Sequence, residues 1–73
     1  MLIIIKIKEA RESKGMSLKE LADLTGIRKQ RLSDIENHII KEDKILFVEM
    51  LVIAENLGLS ILDLYETKNI ELQ

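Results

Sequence analysis

Hydrophobic residues recur three and four positions apart along most of this chain, which is the spacing of one face of an α-helix. Three of these patterns end at a glycine, at Gly15, Gly26 and Gly58, where freedom at positive φ suits a helix C-terminus. Proline, which interrupts helices, is absent. The pattern therefore predicts a compact all-α bundle of five short helices. The first four are expected at about residues 5–14, 18–25, 28–37 and 44–57, and the fifth directly after Ser60, over residues 61–65.

Polar residues that cap helices stand just before three of these patterns. Ser17 is followed three residues later by Glu20, which is the spacing of a capping box, and Ser60 with Asp63 repeats it. Asp43 is the expected N-cap of the helix at 44–57.

Residues 17–36 contain the most informative pattern, two short amphipathic helices on either side of Gly26. Ala22 precedes the glycine by four residues, and Leu32 and Ile35 follow it by six and nine. Two helices that cross steeply need a small residue where they touch, a glycine to turn, and apolar anchors behind. The second helix would present a polar, mostly cationic run, Arg28, Lys29, Gln30 and Arg31. This arrangement suits a helix that enters a DNA groove.

The helix expected at 44–57 is apolar on more than one face. One face carries Phe47, Met50, Leu51, Ala54 and Leu57, and the other positions are also rich in aliphatic residues. A helix of this kind is either deeply enclosed or shared with a partner chain.

Both ends of the chain contain residues that favour strands. Residues 2–5 are apolar and mostly β-branched, and residues 70–72 alternate. Either the first segment starts the first helix and the last one frays, or the two form short strands that pair within or between chains.

Composition limits the chemistry that is available to the chain. The 73 residues allow one domain, residues 1–73 with a core of about 5–66, and include no cysteine and one histidine. We therefore expect no disulfide, no metal site, no cofactor and no enzymatic activity. No apolar run is long enough to span a bilayer, so we expect a cytoplasmic protein with no membrane partner.

Charge is distributed unevenly although the net charge is only −2. Residues 1–41 contain nine Lys or Arg and six Asp or Glu, a net of +3, whereas residues 42–73 contain two and seven, a net of −5. Either the basic part faces phosphates, or the difference is only an uneven solvated surface.

Four segments in the right order resemble one protein family. They are Lys-Gly-Met-Ser-Leu-Lys-Glu-Leu-Ala at 14–22, Thr-Gly-Ile at 25–27, Leu-Ser-Asp-Ile-Glu-Asn at 32–37 and Ala-Glu-Asn-Leu-Gly-Leu-Ser at 54–60. Together they make the chain, over about residues 7–65, similar to the helix-turn-helix domain of the lambdoid-repressor and Cro family, also called the Xre family. The resemblance implies a repressor-like five-helix fold, transcriptional control, and binding of double-stranded DNA at a palindromic operator, usually as a dimer.

The resemblance also implies roles for individual residues. Lys29, Gln30 and Asp34 fall at positions that face DNA bases, although Asp34 is as well explained by a solvated residue or a surface ion pair. The positions implied for phosphate contact are Arg28, Arg31, Asn37, His38 and Lys41. Arg11 and Glu36 match an arginine and a glutamate that form a structural ion pair in such domains.

Three positions depart from the family pattern. Leu18 stands where many members have a glutamine that contacts phosphate, so one usual contact is missing. Arg28 replaces a serine or threonine N-cap, and His38 replaces a common glycine.

Two functions remain in competition at this point. The first is a sequence-specific DNA-binding regulator, paired as a homodimer through helices 4 and 5 and possibly through terminal strands. The alternative is a protein-interaction module, such as an antitoxin-like or repressor-partner subunit, that uses the same fold to bind protein.

Overall fold

The computed structural model describes residues 2–69, which form four α-helices, two short strands and two single 3₁₀ turns. The strands are β1 (Leu2–Ile5) and β2 (Tyr65–Lys68), and the α-helices are α1 (Ile7–Ser13), α2 (Leu18–Thr25), α3 (Lys29–Glu36) and α4 (Phe47–Leu57). The first 3₁₀ turn, Glu42–Lys44, precedes α4, and the second, Ile61–Leu64, precedes β2.

Local sequence signals explain the bounds of α2. The Ser17 hydroxyl accepts the Glu20 backbone N–H at 3.0 Å, and the Glu20 carboxylate accepts the Ser17 N–H at 3.2 Å. Gly26 ends the helix in the left-handed region, at φ 75°. The predicted capping box and glycine stop are both present.

The core is formed by side chains from α1, α2, α3, α4 and the second 3₁₀ turn. It is aliphatic, and its fully buried side chains are Ile7, Leu21, Leu32, Ile35, Ile53 and Leu64. No helix in residues 2–69 has the length and apolar character that a bilayer crossing demands.

The inward face of α4 differs from the expected one. Met50, Ala54 and Leu57 are buried as predicted, but Phe47 and Leu51 are exposed and Ile53 takes the inward position. The reason is the near-uniform apolar character of the helix, which leaves its rotation to tertiary packing.

The prediction of five α-helices is wrong in its last member. Residues 61–64 make only a 3₁₀ turn, because the chain becomes extended at Tyr65 (φ −148°, ψ 160°) to enter β2. The expected capping residues are nevertheless used, since the Ser60 hydroxyl accepts the Leu62 N–H and the Asp63 carboxylate accepts the Ser60 N–H.

Two other helix starts also fall later than predicted. The first helix begins at Ile7 instead of Ile5, because residues 2–5 are a strand. The helix expected from Lys44 begins at Phe47, after the first 3₁₀ turn and two extended residues, Ile45 and Leu46.

β1 and β2 pair antiparallel within the chain, with Leu2 opposite Lys68 and Ile5 opposite Tyr65. The Lys6 N–H donates to the Leu64 carbonyl at 2.7 Å and extends the ladder by one residue. Residues 2–5 therefore form a strand, one of the two alternatives considered for them, and pair with Tyr65–Lys68. The second strand considered from the sequence, at residues 70–72, lies outside the described residues. The sheet makes the fold mainly helical and not all-α.

Candidate nucleic-acid interface

Hydrogen bonds of the Thr25 hydroxyl and of the Gly26 backbone hold the turn between α2 and α3. The Gly26 N–H donates to the Ala22 carbonyl at 2.9 Å, and the Thr25 hydroxyl donates to the Leu21 carbonyl at 2.8 Å. The same hydroxyl accepts the Ile27 N–H at 3.2 Å, on the far side of the turn. This chain of bonds fixes the direction in which α3 leaves the turn.

The N-terminal end of α3 is exposed and cationic. Arg28 is its N-cap residue and makes no side-chain capping bond, and Lys29 follows as the first helical residue. Both side chains are exposed, and neither is paired with a carboxylate among residues 2–69. Their charges are thus available to an anionic ligand.

Gln30 and Asp34 lie one turn apart on the same exposed face. The Gln30 Nε2 donates to Asp34 Oδ1 at 2.9 Å. This bond orients the amide, so that its nitrogen faces Asp34 and its oxygen faces away. Two of the three residues predicted to face bases therefore form a hydrogen-bonded pair, and Lys29 lies next to it in sequence.

Arg31 points away from this pair toward the start of α4. Its guanidinium binds the Glu49 carboxylate through two nitrogens, with Nη2 to Oε1 at 2.8 Å, and Nη2 also donates to the Lys44 carbonyl at 3.1 Å. The hydrogen bonds that Arg31 donates to Glu49 lower the pKa of Glu49 and raise the pKa of Arg31. Arg31 was predicted to contact phosphate, and no pattern in the sequence pointed to Glu49. No local spacing points to a pair that is separated by 18 residues.

The other residues predicted to contact phosphate follow the C-terminus of α3. The Asn37 side chain donates to the Ser33 carbonyl at 2.9 Å, and Lys41 is exposed. His38 is exposed and adopts φ 60°, the left-handed conformation that a glycine at this position accepts without strain. The structure thus places Asn37, His38 and Lys41 along one loop.

Behind the exposed face, Arg11 holds the C-terminal end of α3. Its Nε and Nη2 donate to the Glu36 carboxylate at 2.7 and 3.0 Å, and its Nη1 donates to the Met16 carbonyl at 2.7 Å. Arg11 and Glu36 are 9% and 7% exposed, so the pair is part of the interior. The bonds to Glu36 raise the pKa of Arg11.

Leu18, the departure from the family pattern at the start of α2, is half-buried and packs against the core. Its side chain helps to anchor α2 on the core and has no hydrogen-bonding group for a ligand.

A short helix followed by a glycine turn and a second helix with an exposed, polar N-terminal face defines the helix-turn-helix class. The model of the family described as Helix-turn-helix matches residues 7–64. The chain therefore belongs to the Xre-type helix-turn-helix family of DNA-binding transcription regulators.

A solved structure supports this assignment. The chain is similar to SinR, described as the master regulator for biofilm formation, in a crystal structure of SinR in complex with DNA. The two are 33% identical, the match covers 75% of this chain and 84% of that chain, and the TM-score is 0.69. The search of curated proteins found no match.

Proposed function

We propose that this chain is a sequence-specific transcriptional regulator that places α3 in the major groove of double-stranded DNA. The observation that carries the proposal is the exposed cationic start of α3, held at a fixed crossing with α2. In helix-turn-helix proteins the second helix lies in the major groove, with its N-terminal residues at the base edges. The similarity to SinR, which was crystallised with DNA, supports the same use of the fold.

Three side chains on α3 are proposed to contact bases. The Lys29 ammonium suits guanine O6 and N7, and the Gln30 amide suits adenine. Asp34 would accept a hydrogen bond from the amino group of cytosine. Its hydrogen bond with Gln30 holds the two side chains together on the face that is proposed to contact bases.

Phosphate contacts are proposed on both sides of the bases. Arg28 supplies a charge at the start of α3, and Asn37, His38 and Lys41 supply polar groups from the loop that follows it. Arg31 belongs to the same predicted set, but Glu49 already holds its guanidinium.

A homodimer is proposed through α4 and the second 3₁₀ turn. This part of the molecule carries an exposed apolar patch, here called the α4 patch: Leu46, Phe47, Val48, Leu51 and Leu62. To bind a palindromic operator, a dimer formed through this patch must place its two copies of α3 about one helical turn of DNA apart, roughly 10 base pairs between half-site centres, or a multiple of that distance. Two copies also bind more DNA surface than a single small domain.

The α4 patch also favours the competing function, a protein-interaction module. Phe47, one of the two aromatic residues of the chain, is 71% exposed and lies in this apolar patch, and exposed apolar patches mark sites of protein interaction. The net acidic charge of the second part of the chain and the loss of a polar group at Leu18 point the same way.

Selection of bound duplexes from a random library at low salt tests the proposal. We expect one enriched palindromic sequence, with an affinity that falls steeply as salt rises, because phosphate contacts release counterions. No enriched sequence would favour the protein-interaction module.

Substitution of Lys29 tests the assignment of the bases. Lys29→Ala should relax the selected sequence at one position in each half-site and cost about 1–3 kcal/mol of discrimination there. Arg28→Ala is the matched control, since loss of a phosphate contact weakens binding to all sequences alike. An unchanged selected sequence in Lys29→Ala would contradict the assignment.

A further inference from the structure

Arg31 joins α3 to the start of α4 through a network of four hydrogen bonds. Two nitrogens bind the two carboxylate oxygens of Glu49, and Nη2 also reaches the Lys44 carbonyl. Glu49 Oε1 in turn accepts the backbone N–H of Leu46, the N-cap residue of α4, at 2.9 Å. A single guanidinium thus ties α3 to the 3₁₀ turn and to the cap of α4.

Arg31 and Arg28 lie three residues apart but have different surroundings. Arg28 is exposed and has no carboxylate partner within residues 2–69. The Arg31 and Glu49 side chains are 37% and 10% exposed, and they face each other. A phosphate that took the Nε–Nη2 edge of Arg31 would displace Glu49 and leave its carboxylate poorly hydrated and unpaired.

The two ends of α3 are held in similar ways. Arg11 binds Glu36 at the last residue of the helix, and Arg31 binds Glu49 near its first turn. The first turn has no side-chain cap, because Arg28 replaces the usual serine or threonine. The Arg31–Glu49 pair therefore adds to the hydrogen bonds of the turn at Thr25 and Gly26 and joins this end of α3, which carries Lys29 and Gln30, to α4.

We propose that Arg31 is a positioning residue, which with Glu49 sets the orientation of α3 on α4 and so the register in which Lys29 and Gln30 meet base edges. The inference rests on the proposed DNA-binding function and refines it. Arg31 contributes to the choice of sequence, whereas Arg28 contributes attraction to any duplex. The planar guanidinium is required for this role, because an ammonium cannot bind both carboxylate oxygens and the carbonyl in one fixed geometry.

The test compares Arg31→Gln, Arg31→Lys and Glu49→Gln in the full chain, with Arg28→Gln as the matched loss of one positive charge. The affinity of each is measured for the duplex selected by the wild type and for a scrambled duplex, over a range of salt concentrations. We expect Arg31→Gln, Arg31→Lys and Glu49→Gln each to lower the ratio of specific to non-specific affinity at least tenfold. The double variant Arg31→Gln with Glu49→Gln should be no worse than either single change, since one interaction is lost in all three.

The salt dependence separates positioning from phosphate contact. The slope of log affinity against log salt should stay unchanged in Arg31→Gln and should decrease in magnitude by about 0.9 for each half-site in Arg28→Gln. The proposal is overturned if Arg31→Gln behaves like Arg28→Gln, if Arg31→Lys retains the wild-type ratio, or if Glu49→Gln strengthens specific binding by releasing Arg31.

A measurement on the free protein tests the positioning role of Arg31 independently of the proposed DNA-binding function. Residual dipolar couplings of backbone N–H groups report the angle between α3 and α4 in the free protein. We expect this angle to change in Arg31→Gln and Glu49→Gln but not in Arg28→Gln, while the thermal unfolding midpoint shows that each variant is folded. An unchanged angle overturns positioning by Arg31. A wild type that selects no DNA sequence overturns the function instead.

Discussion

At the scale of single residues, Arg11 joins α1 to α3 through a buried ion pair. Its guanidinium makes two bonds to Glu36 and one to the Met16 carbonyl in the interior, behind the exposed face of α3. Removal of one partner of a buried ion pair leaves the other charge buried and unpaired. The free energy lost in this way is larger than the net stability that the intact pair contributes. The pair therefore matters most for keeping α1 and α3 together.

Arg11→Ala should lower the free energy of unfolding by about 3–5 kcal/mol, because Glu36 is left buried and unpaired. Urea denaturation at neutral pH measures the loss. The control is Lys19→Ala, which breaks a pair with Asp23 whose side chains are 76% and 67% exposed. The control should cost less than about 1 kcal/mol. Equal stability of Arg11→Ala and wild type would show that the pair does not hold the helices.

His38→Gly is expected to stabilise the protein. His38 has φ 60°, and a residue with a Cβ carries a cost of about 1–2 kcal/mol in the left-handed region. Part of this gain is offset by the greater freedom of glycine in the unfolded chain, so we expect a net gain of about 0.5–1 kcal/mol. The thermal midpoint should rise by a few degrees. Asn37→Gly, at φ −92°, is the control and should not stabilise. A lower midpoint in His38→Gly would mean that the histidine makes a compensating contact.

Secondary-structure elements were predictable from the sequence where their signals are local. The bounds of α2 follow from Ser17, Glu20 and Gly26, all within ten residues, and the structure uses all three. The predicted start of α4 is wrong, because Asp43 only has the residue type of an N-cap. In the structure Leu46 is the N-cap residue, and its N–H donates to the Glu49 carboxylate. A second terminal strand was considered at residues 70–72, whereas β2 covers Tyr65–Lys68, because pairing with β1 and not a local pattern sets its position.

The proposed interface belongs to the scale of elements, since the α4 patch is formed by one helix and the turn after it. Phe47→Ser should convert the proposed dimer to a monomer, as measured by sedimentation equilibrium, because an exposed aromatic anchor of the interface is lost. The unfolding free energy of the monomer should change little, since Phe47 is outside the core. Leu24→Ser, at an exposed apolar position on α2, is the control and should leave the mass unchanged. A wild type that sediments as a monomer would contradict the proposed dimer.

For the whole molecule, the sequence indicated the class of fold and the location of the candidate interface. Four matching segments placed the helix-turn-helix, and the family model covers residues 7–64. The partner of Arg31 was not predictable, because Arg31 and Glu49 are brought together by the packing of α3 beside α4. The mode of dimerisation stays a prediction for the same reason, as it depends on surfaces whose exposure only the folded chain defines.

The pairing of β1 with β2 has a consequence for the order of events during synthesis. Ile5 and Tyr65 are neighbours in the sheet, yet 59 residues lie between them in the sequence. At a synthesis rate of about 5–20 residues per second, β1 waits roughly 3–12 s for its partner to be made. During this time four consecutive apolar residues, Leu2 to Ile5, leave the ribosome without a strand to cover them. The nascent chain thus exposes the apolar residues of β1 until nearly all of the domain has been translated.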